Sequence, residues 1–150
     1  NDADTSINPN APETCDDGID QDCSGSDEVC PVNSSGYADN GNGTITDNTT
    51  GLIWQQNGDQ SGNWNDAIAY CDNLSLGGSS SWRLPNPKQL RSLVNKSFYP
   101  TIDPIFSGTH KSDYWSAESA NYYTVYTVNF NLGIPFSALK SDVIYIRCVQ

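Results

Sequence analysis

Apolar residues fall into two regimes along this chain. Residues 1–12, Asn-Asp-Ala-Asp-Thr-Ser-Ile-Asn-Pro-Asn-Ala-Pro, show no hydrophobic period, and a stretch with nothing to bury does not order unless something ties it down. The polar character persists to Pro31, and Val-Asn-Ser-Ser-Gly-Tyr-Ala over 32–38 forms a joint. Beyond it the pattern is that of a folded body. Asp39 to Trp54 reads as two short strands around turn-forming Asn and Gly, with Ile45, Leu52 and Trp54 as core candidates. From Trp64 the period changes: Trp64, Ala67, Ile68, Cys71 and Leu74 recur at i, i+3, i+4, i+7 and i+10, which predicts an amphipathic helix capped by Asn63 and ended by Gly77-Gly78. In Asn86-Pro-Lys-Gln89, Asn86 suits the N-cap, Pro87 the first helical position and Gln89 the far corner of a capping box. A second helix burying Leu90, Leu93 and Val94 follows. After a loop from Phe98 to Asp113, strands are expected over Tyr114–Ser116, Tyr122–Phe130, Ile134–Ala138 and Val143–Val149, with Asn131-Leu-Gly133 as a hairpin turn. The class is α+β, two helices on small antiparallel sheets.

At 150 residues the chain holds one ordinary domain and a small appendage, divided as 1–31 and 32–150. Charge sharpens that division. The net charge is -11, yet residues 1–30 carry nine of the eighteen acidic residues and none of the seven Lys and Arg. The body is therefore only about two units negative. Neither part has a basic stripe to neutralise phosphates, so nucleic acid is excluded as a partner. There is no apolar run of membrane-spanning length.

Between Glu13 and Pro31 lie three cysteines and seven carboxylates. Like charges this close repel unless a cation neutralises them. Asp2, Asp4, Ser6 and Asn8 alternate as oxygen donors, Glu13 and Asp16 follow, and Asp20, Asp22 and Ser24 repeat the spacing with Gly25 where a calcium loop turns sharply. The twelfth place is Pro31 instead of a bidentate Glu, so Asp27 or Glu28 closes the shell, and affinity falls near the ~10⁻⁴ to 10⁻³ M of extracellular modules. The cofactor expected is calcium, in a structural role. Crowded cysteines among carboxylates suit an oxidising compartment better than zinc. Cys15 and Cys23 are the candidate staple of this irregular segment. Cys71 on the core face of the first helix can bridge Cys148 in the last strand. One of the five cysteines is left to pair upstream, with another chain, or to stay a free thiol. The start at Asn1-Asp-Ala-Asp, inside the metal-binding pattern, makes a longer precursor the expectation.

Asn8-Pro9, Ala11, Glu13, Cys15-Asp16, Asp20, Asp22-Cys23 and Gly25 resemble the MopE-like metal-binding repeat of secreted bacterial surface proteins, with Ser24 in place of the more usual Asp. That resemblance implies calcium-stabilised spacers and stalks. In the body, Asp39-Asn-Gly-Asn-Gly-Thr-Ile-Thr-Asp-Asn-Thr-Thr-Gly-Leu-Ile-Trp54, then Trp64 with Ala67-Ile-Ala-Tyr-Cys71, then Trp82-Arg-Leu-Pro-Asn-Pro-Lys-Gln-Leu-Arg-Ser-Leu93, Tyr114-Trp-Ser116 and Arg147-Cys148 resemble the Lcl C-terminal (DUF1566) domain over about residues 36–150. This second resemblance implies a C-type-lectin-like fold with adjacent N- and C-terminal strands and a long irregular region displaying ligand-facing loops.

The framework motifs claim Trp54, Trp64, Trp82 and Trp115 for the core. Tyr99, Tyr122, Tyr123 and Tyr126 lie outside those motifs, where an exposed ring can stack on a sugar or anchor a protein. Tyr99, His110, Tyr122 and Tyr123 are the ligand-binding candidates. Arg83 and Arg91 can mark an anionic-ligand site, although an Arg beside Trp82 more often braces loop carbonyls. The Glu-Pro-Asn and Gln-Pro-Asp tripeptides of calcium-dependent sugar sites do not occur. With one histidine and no nucleophile elbow, no catalytic set assembles, and no enzyme is expected. The reading is a secreted or surface-displayed, calcium-stabilised recognition or adhesion module for an extracellular glycan or protein. The alternative is a structural subunit joining copies of itself into a trimer, fibre or matrix.

Overall fold

The computed structural model describes residues 36–150. Asp2, Asp4, Ser6, Asn8, Glu13, Asp16, Asp20, Asp22, Ser24, Asp27, Glu28, Cys15 and Cys23 lie outside the described residues.

The body opens with three antiparallel strands, β1 (Tyr37–Asp39), β2 (Thr44–Asp47) and β3 (Ile53–Gln55), in the order β1-β2-β3. Two strands were expected here. The Asn-Gly run makes only the first turn, where Gly41 and Gly43 take φ of 69° and 83°, values that L side chains avoid. A second turn follows because the Asp47 carboxylate accepts the Thr49 and Thr50 amides and the Thr50 hydroxyl, a side-chain closure that hydrophobic spacing does not reveal.

Helix α1 (Trp64–Asp72) is capped by Asn63, whose side chain accepts the Asn65 and Asp66 amides while Asp66 reaches back to the Asn63 amide. It ends earlier than Gly77-Gly78. Asn73 turns its side-chain amide onto the Ala69 carbonyl at 2.7 Å, and Leu74 falls beyond the last turn, still packed against the core. Helix α2 (Pro87–Ser92) has the expected box, with Asn86 Oδ1 accepting the Gln89 amide and Gln89 Oε1 the Asn86 amide. Leu90 lies within it, whereas buried Leu93 and half-buried Val94 follow its end.

Strands β4 (Ser61–Gly62), β5 (Asp113–Ser119), β6 (Thr124–Asn129), β7 (Ile134–Leu139) and β8 (Ile144–Tyr145) form a second sheet ordered β4-β8-β5-β6-β7. Its β5/β8 pair is parallel. Alternation along β5 and β6 sends Trp115 and Val125 to one face, where they pack with Ala67, Cys71, Trp82 and Ile146. Tyr114 and Val128 face the other way, onto Ile45, Trp54, Leu90 and Phe106. Each face of the sheet thus carries a core, with three of the four tryptophans buried and Trp64 half-buried.

Val143–Val149 contributes only Ile144 and Tyr145 to the sheet. The rest leaves it to reach β3 and the segment before α2: the Gln55 amide donates to the Cys148 carbonyl, Ile53 and Gln150 exchange backbone bonds, and Arg83 and Val149 do the same. Two different partners break the regular ladder that alternation predicts. Cys148 bridges Cys71 of α1, fastening the C-terminal run to the first helix.

Strand β7 is an edge. Lys140 donates its amide to Tyr123 across the β6/β7 pair, so the amides of Ala138, Phe136 and Ile134 face β6 by alternation. Pro135, Ser137 and Leu139 face outward. Pro135 has no N–H, and the Leu139 amide donates to Asp142 Oδ2 at 3.0 Å. Two of the three outward positions therefore offer no edge donor.

Candidate ligand-facing surfaces

The expected ligand residues sit on two surfaces. Tyr99 and His110 belong to the loop that enters β5 at Asp113, while Tyr122 and Tyr123 form the turn that leaves β5 after Ser119. A seven-residue strand lies between them, which at ~3.3 Å per residue sets them roughly 20 Å apart. The stretch from Phe98 to Tyr123 is not one ligand face.

At the first end, the loop is irregular but heavily tied. Thr101 donates both its amide and its hydroxyl to the Phe130 carbonyl, and Gly58 donates to Ser107. Tyr99 is 67 % exposed, with the Lys111 ammonium 3.9 Å from its ring centre. The His110 ring lies flat on Tyr145, with centroids 4.0 Å apart, and its Nε2 is 3.1 Å from Asp59 Oδ1. The His110 amide donates to the Tyr114 hydroxyl. Gly108 takes φ of 61°, a value L side chains avoid, and a Cβ there would also press on the Asn57 and Asp59 side chains. His110 is thereby engaged in joining loops.

The fastening group is Arg147. Its side chain is fully buried. Nη1 donates to the Gln55 carbonyl at 2.7 Å and also to that of Gln56, and Nη2 donates to Ser107 O at 3.3 Å and to the Thr109 hydroxyl at 2.6 Å. The guanidinium also lies over the rings of Phe106 and Tyr114. Burial pushes its pKa down to about 10, which leaves it charged at neutral pH. Burial likewise raises the Tyr114 phenol. No expectation singled out Arg147 as the brace. Arg83, the expected brace beside Trp82, does hold the Leu84 carbonyl and Gln89 Oε1 but remains exposed. The signal available was an arginine beside a disulfide cysteine, where the chain is obliged to be buried.

At the second end, Asn121 Oδ1 accepts the amides of Tyr123 and Thr124, closing the turn from within. Tyr122 and Tyr123 are turned outward, 82 % and 70 % exposed, with their rings edge to face at 4.9 Å. Tyr126 lines a separate 370 Å³ cavity with Pro87, Lys88, Arg91, Glu118 and Pro135. Among the described residues no three His, Cys, Asp or Glu side chains gather as a metal site, and no helix is long and apolar enough to cross a membrane.

Two family models match the chain. The model of the Lcl C-terminal domain covers residues 43–150, and one described as a putative metal-binding motif covers residues 1–28, without specifying the metal. The two together point to an extracellular bacterial protein, secreted or displayed at the surface. No curated protein matches the chain.

Proposed function

The chain belongs to the Lcl C-terminal domain family, and from that membership we propose that it is an extracellular recognition or adhesion module whose body binds glycan or protein on a cell or matrix. In this reading residues 32–150 have a C-type-lectin-like arrangement, and residues 1–31 form a calcium-stabilised spacer. The donors of that spacer are carboxylates, amides and hydroxyls, hard oxygen ligands that suit calcium over copper or zinc. The body's activity is binding, not catalysis.

One observation carries the reading: Tyr122 and Tyr123 are paired, solvent-exposed and set on a hairpin turn that Asn121 closes. Exposed aromatics held on a stiff turn lose little entropy when a ligand covers them, which is how anchor residues gain affinity. The test is binding of the full chain to a glycan array and to intact cell surfaces, with and without calcium. Signal that falls tenfold or more in the Tyr122→Ala, Tyr123→Ala double variant supports the proposal. Signal indifferent to that variant sinks it. Calorimetry with calcium, copper and zinc separately tests the metal.

The second reading, a structural subunit of a filament or matrix, draws on the exposed Leu132, Ile134, Phe136 and Leu139 along and beside β7. Light scattering with calcium present decides it, since a monodisperse monomer excludes assembly.

A further inference from the structure

The loop between Phe98 and Thr109 borders a half-open cavity of 330 Å³. Its walls include Phe98, Tyr99, Pro100, Ile102 and Pro104, and Asp103, a residue only 3 % exposed, is part of the lining. Among the described residues the one ion pair is Asp59 with His110, so no lysine or arginine there neutralises Asp103. Its Oδ1 accepts the Ile105 amide at 3.0 Å, which leaves Oδ2 for another donor. A buried carboxylate in apolar surroundings calls for a cation or several donors.

One neighbour responds to the same carboxylate. The Tyr37 phenol, whose ring meets Phe106 edge-on at 5.0 Å, is pushed up to about 12 by burial, then by Asp47 and Asp103. At the rim, the Tyr99 ring already seats the ammonium of Lys111, so that aromatic face accepts an organic cation.

We propose that this cavity is a subsite for a lysine side chain presented by a protein partner, its aliphatic stem against Pro100, Pro104 and Ile102 and its ammonium at Asp103. The assignment rests on the recognition reading above and names the partner chemistry for this loop. A lysine fits the combination of a long apolar wall with one terminal carboxylate, because its stem is apolar and its charge is a compact point. Of the other charged side chains nearby, Arg147 is spent on four oxygen acceptors, Asp47 on its own turn, and Lys111 lies on the Tyr99 ring at the rim, with no ion pair to Asp103.

The test is an NMR titration of the full chain with lysine blocked at both termini, beside blocked norleucine, which keeps the stem without the ammonium, and glucosamine, which carries an amine on a sugar. Saturable shifts confined to amides of residues 98–109 are expected with blocked lysine, at least tenfold weaker with norleucine and in Asp103→Asn. That variant keeps an oxygen for the Ile105 amide. Should it fail to fold by circular dichroism, Tyr99→Ala, at an exposed position, carries the test, with binding weakened severalfold. No saturable shift, equal response to norleucine, or unchanged binding in a folded Asp103→Asn overturns the proposal. Glucosamine binding as tightly as lysine overturns the choice of a protein partner. These shifts are read without any cell surface, so failure here with array or cell binding intact removes the subsite alone, and failure of array and cell binding removes the recognition reading alone.

Discussion

Arg147 donates to the Thr109 hydroxyl across 2.6 Å, and through that bond the C-terminal segment holds the loop that carries Tyr99 and His110. Removing the guanidinium strands the Gln55 and Gln56 carbonyls, takes one of its two donors from the Ser107 carbonyl, and opens a cavity beside Phe106. Each stranded buried acceptor costs about 1–3 kcal/mol. Arg147→Ala should therefore lose roughly 4 kcal/mol or more of stability, and Arg147→Lys should recover little, since one ammonium cannot reach acceptors on both loops in a planar fork. Chemical denaturation of the two variants measures this; near-native stability in either contradicts it.

Cys71 and Cys148 close a loop with a sequence separation of 77. In the chain-entropy picture that closure contributes about 4.5 kcal/mol. Cys71→Ala should lower the melting temperature by roughly 10 °C or more, because the bridge also fastens the run that carries Arg147. An unchanged melting temperature would mean the bridge adds nothing in solution.

How far the sequence foretold this structure depends on what kind of force set each part. Both helix starts were legible, because Asn63 and Asn86 act on amides two or three residues away and leave local spacing rules behind. The Cys71 to Cys148 bridge was legible too, since the first helix's apolar face exposes its partner requirement. The Asp47 turn was missed because a carboxylate closing its own loop has no hydrophobic signature. The fate of Val143–Val149 was missed because alternation marks a strand without naming its neighbour, and here the neighbours change after Tyr145. Arg147 and Asp103 were beyond reach for a related reason. Their roles are set by loops distant in sequence, such as Gln55 and Ser107, that converge only in the fold.

The Tyr37 phenol gives a pH signature. Its pKa is near 10 when unfolded and about 12 when folded. The unfolded chain releases this proton first as pH rises, so the contribution to stability is intact below pH 10 and is lost between about 10 and 12. Burial is the leading cause, with Asp47 and Asp103 adding to it. Tyr37→Phe should flatten the fall in stability over that window and remove the latest step from an ultraviolet phenolate titration. A titration identical in the two proteins would contradict the assignment.

Calcium removal should act on one part of the chain only. A chelator should make residues 1–31 sensitive to protease while the body, whose Cys71–Cys148 bridge and cores involve no metal ligand among the described residues, melts as before. Unchanged cleavage within 1–31 would show that the expected ligands, from Asp2 to Glu28, do not hold calcium.

The edge strand offers the sharpest contrast between the two functional readings. Along β7, exposed Ile134 and Phe136 would favour pairing with another copy, yet Pro135 lacks an amide and Asp142 occupies that of Leu139. Such devices keep open sheet edges from joining. If the protein works as a separate module, undoing them should create association that the native chain resists. Pro135→Val with Asp142→Ala restores two outward amides without touching either core, and the double variant should self-associate in a concentration-dependent way by light scattering while the native protein stays dispersed. Native protein that already polymerises, with its assembly unaffected by the double variant, would place any subunit contact away from β7.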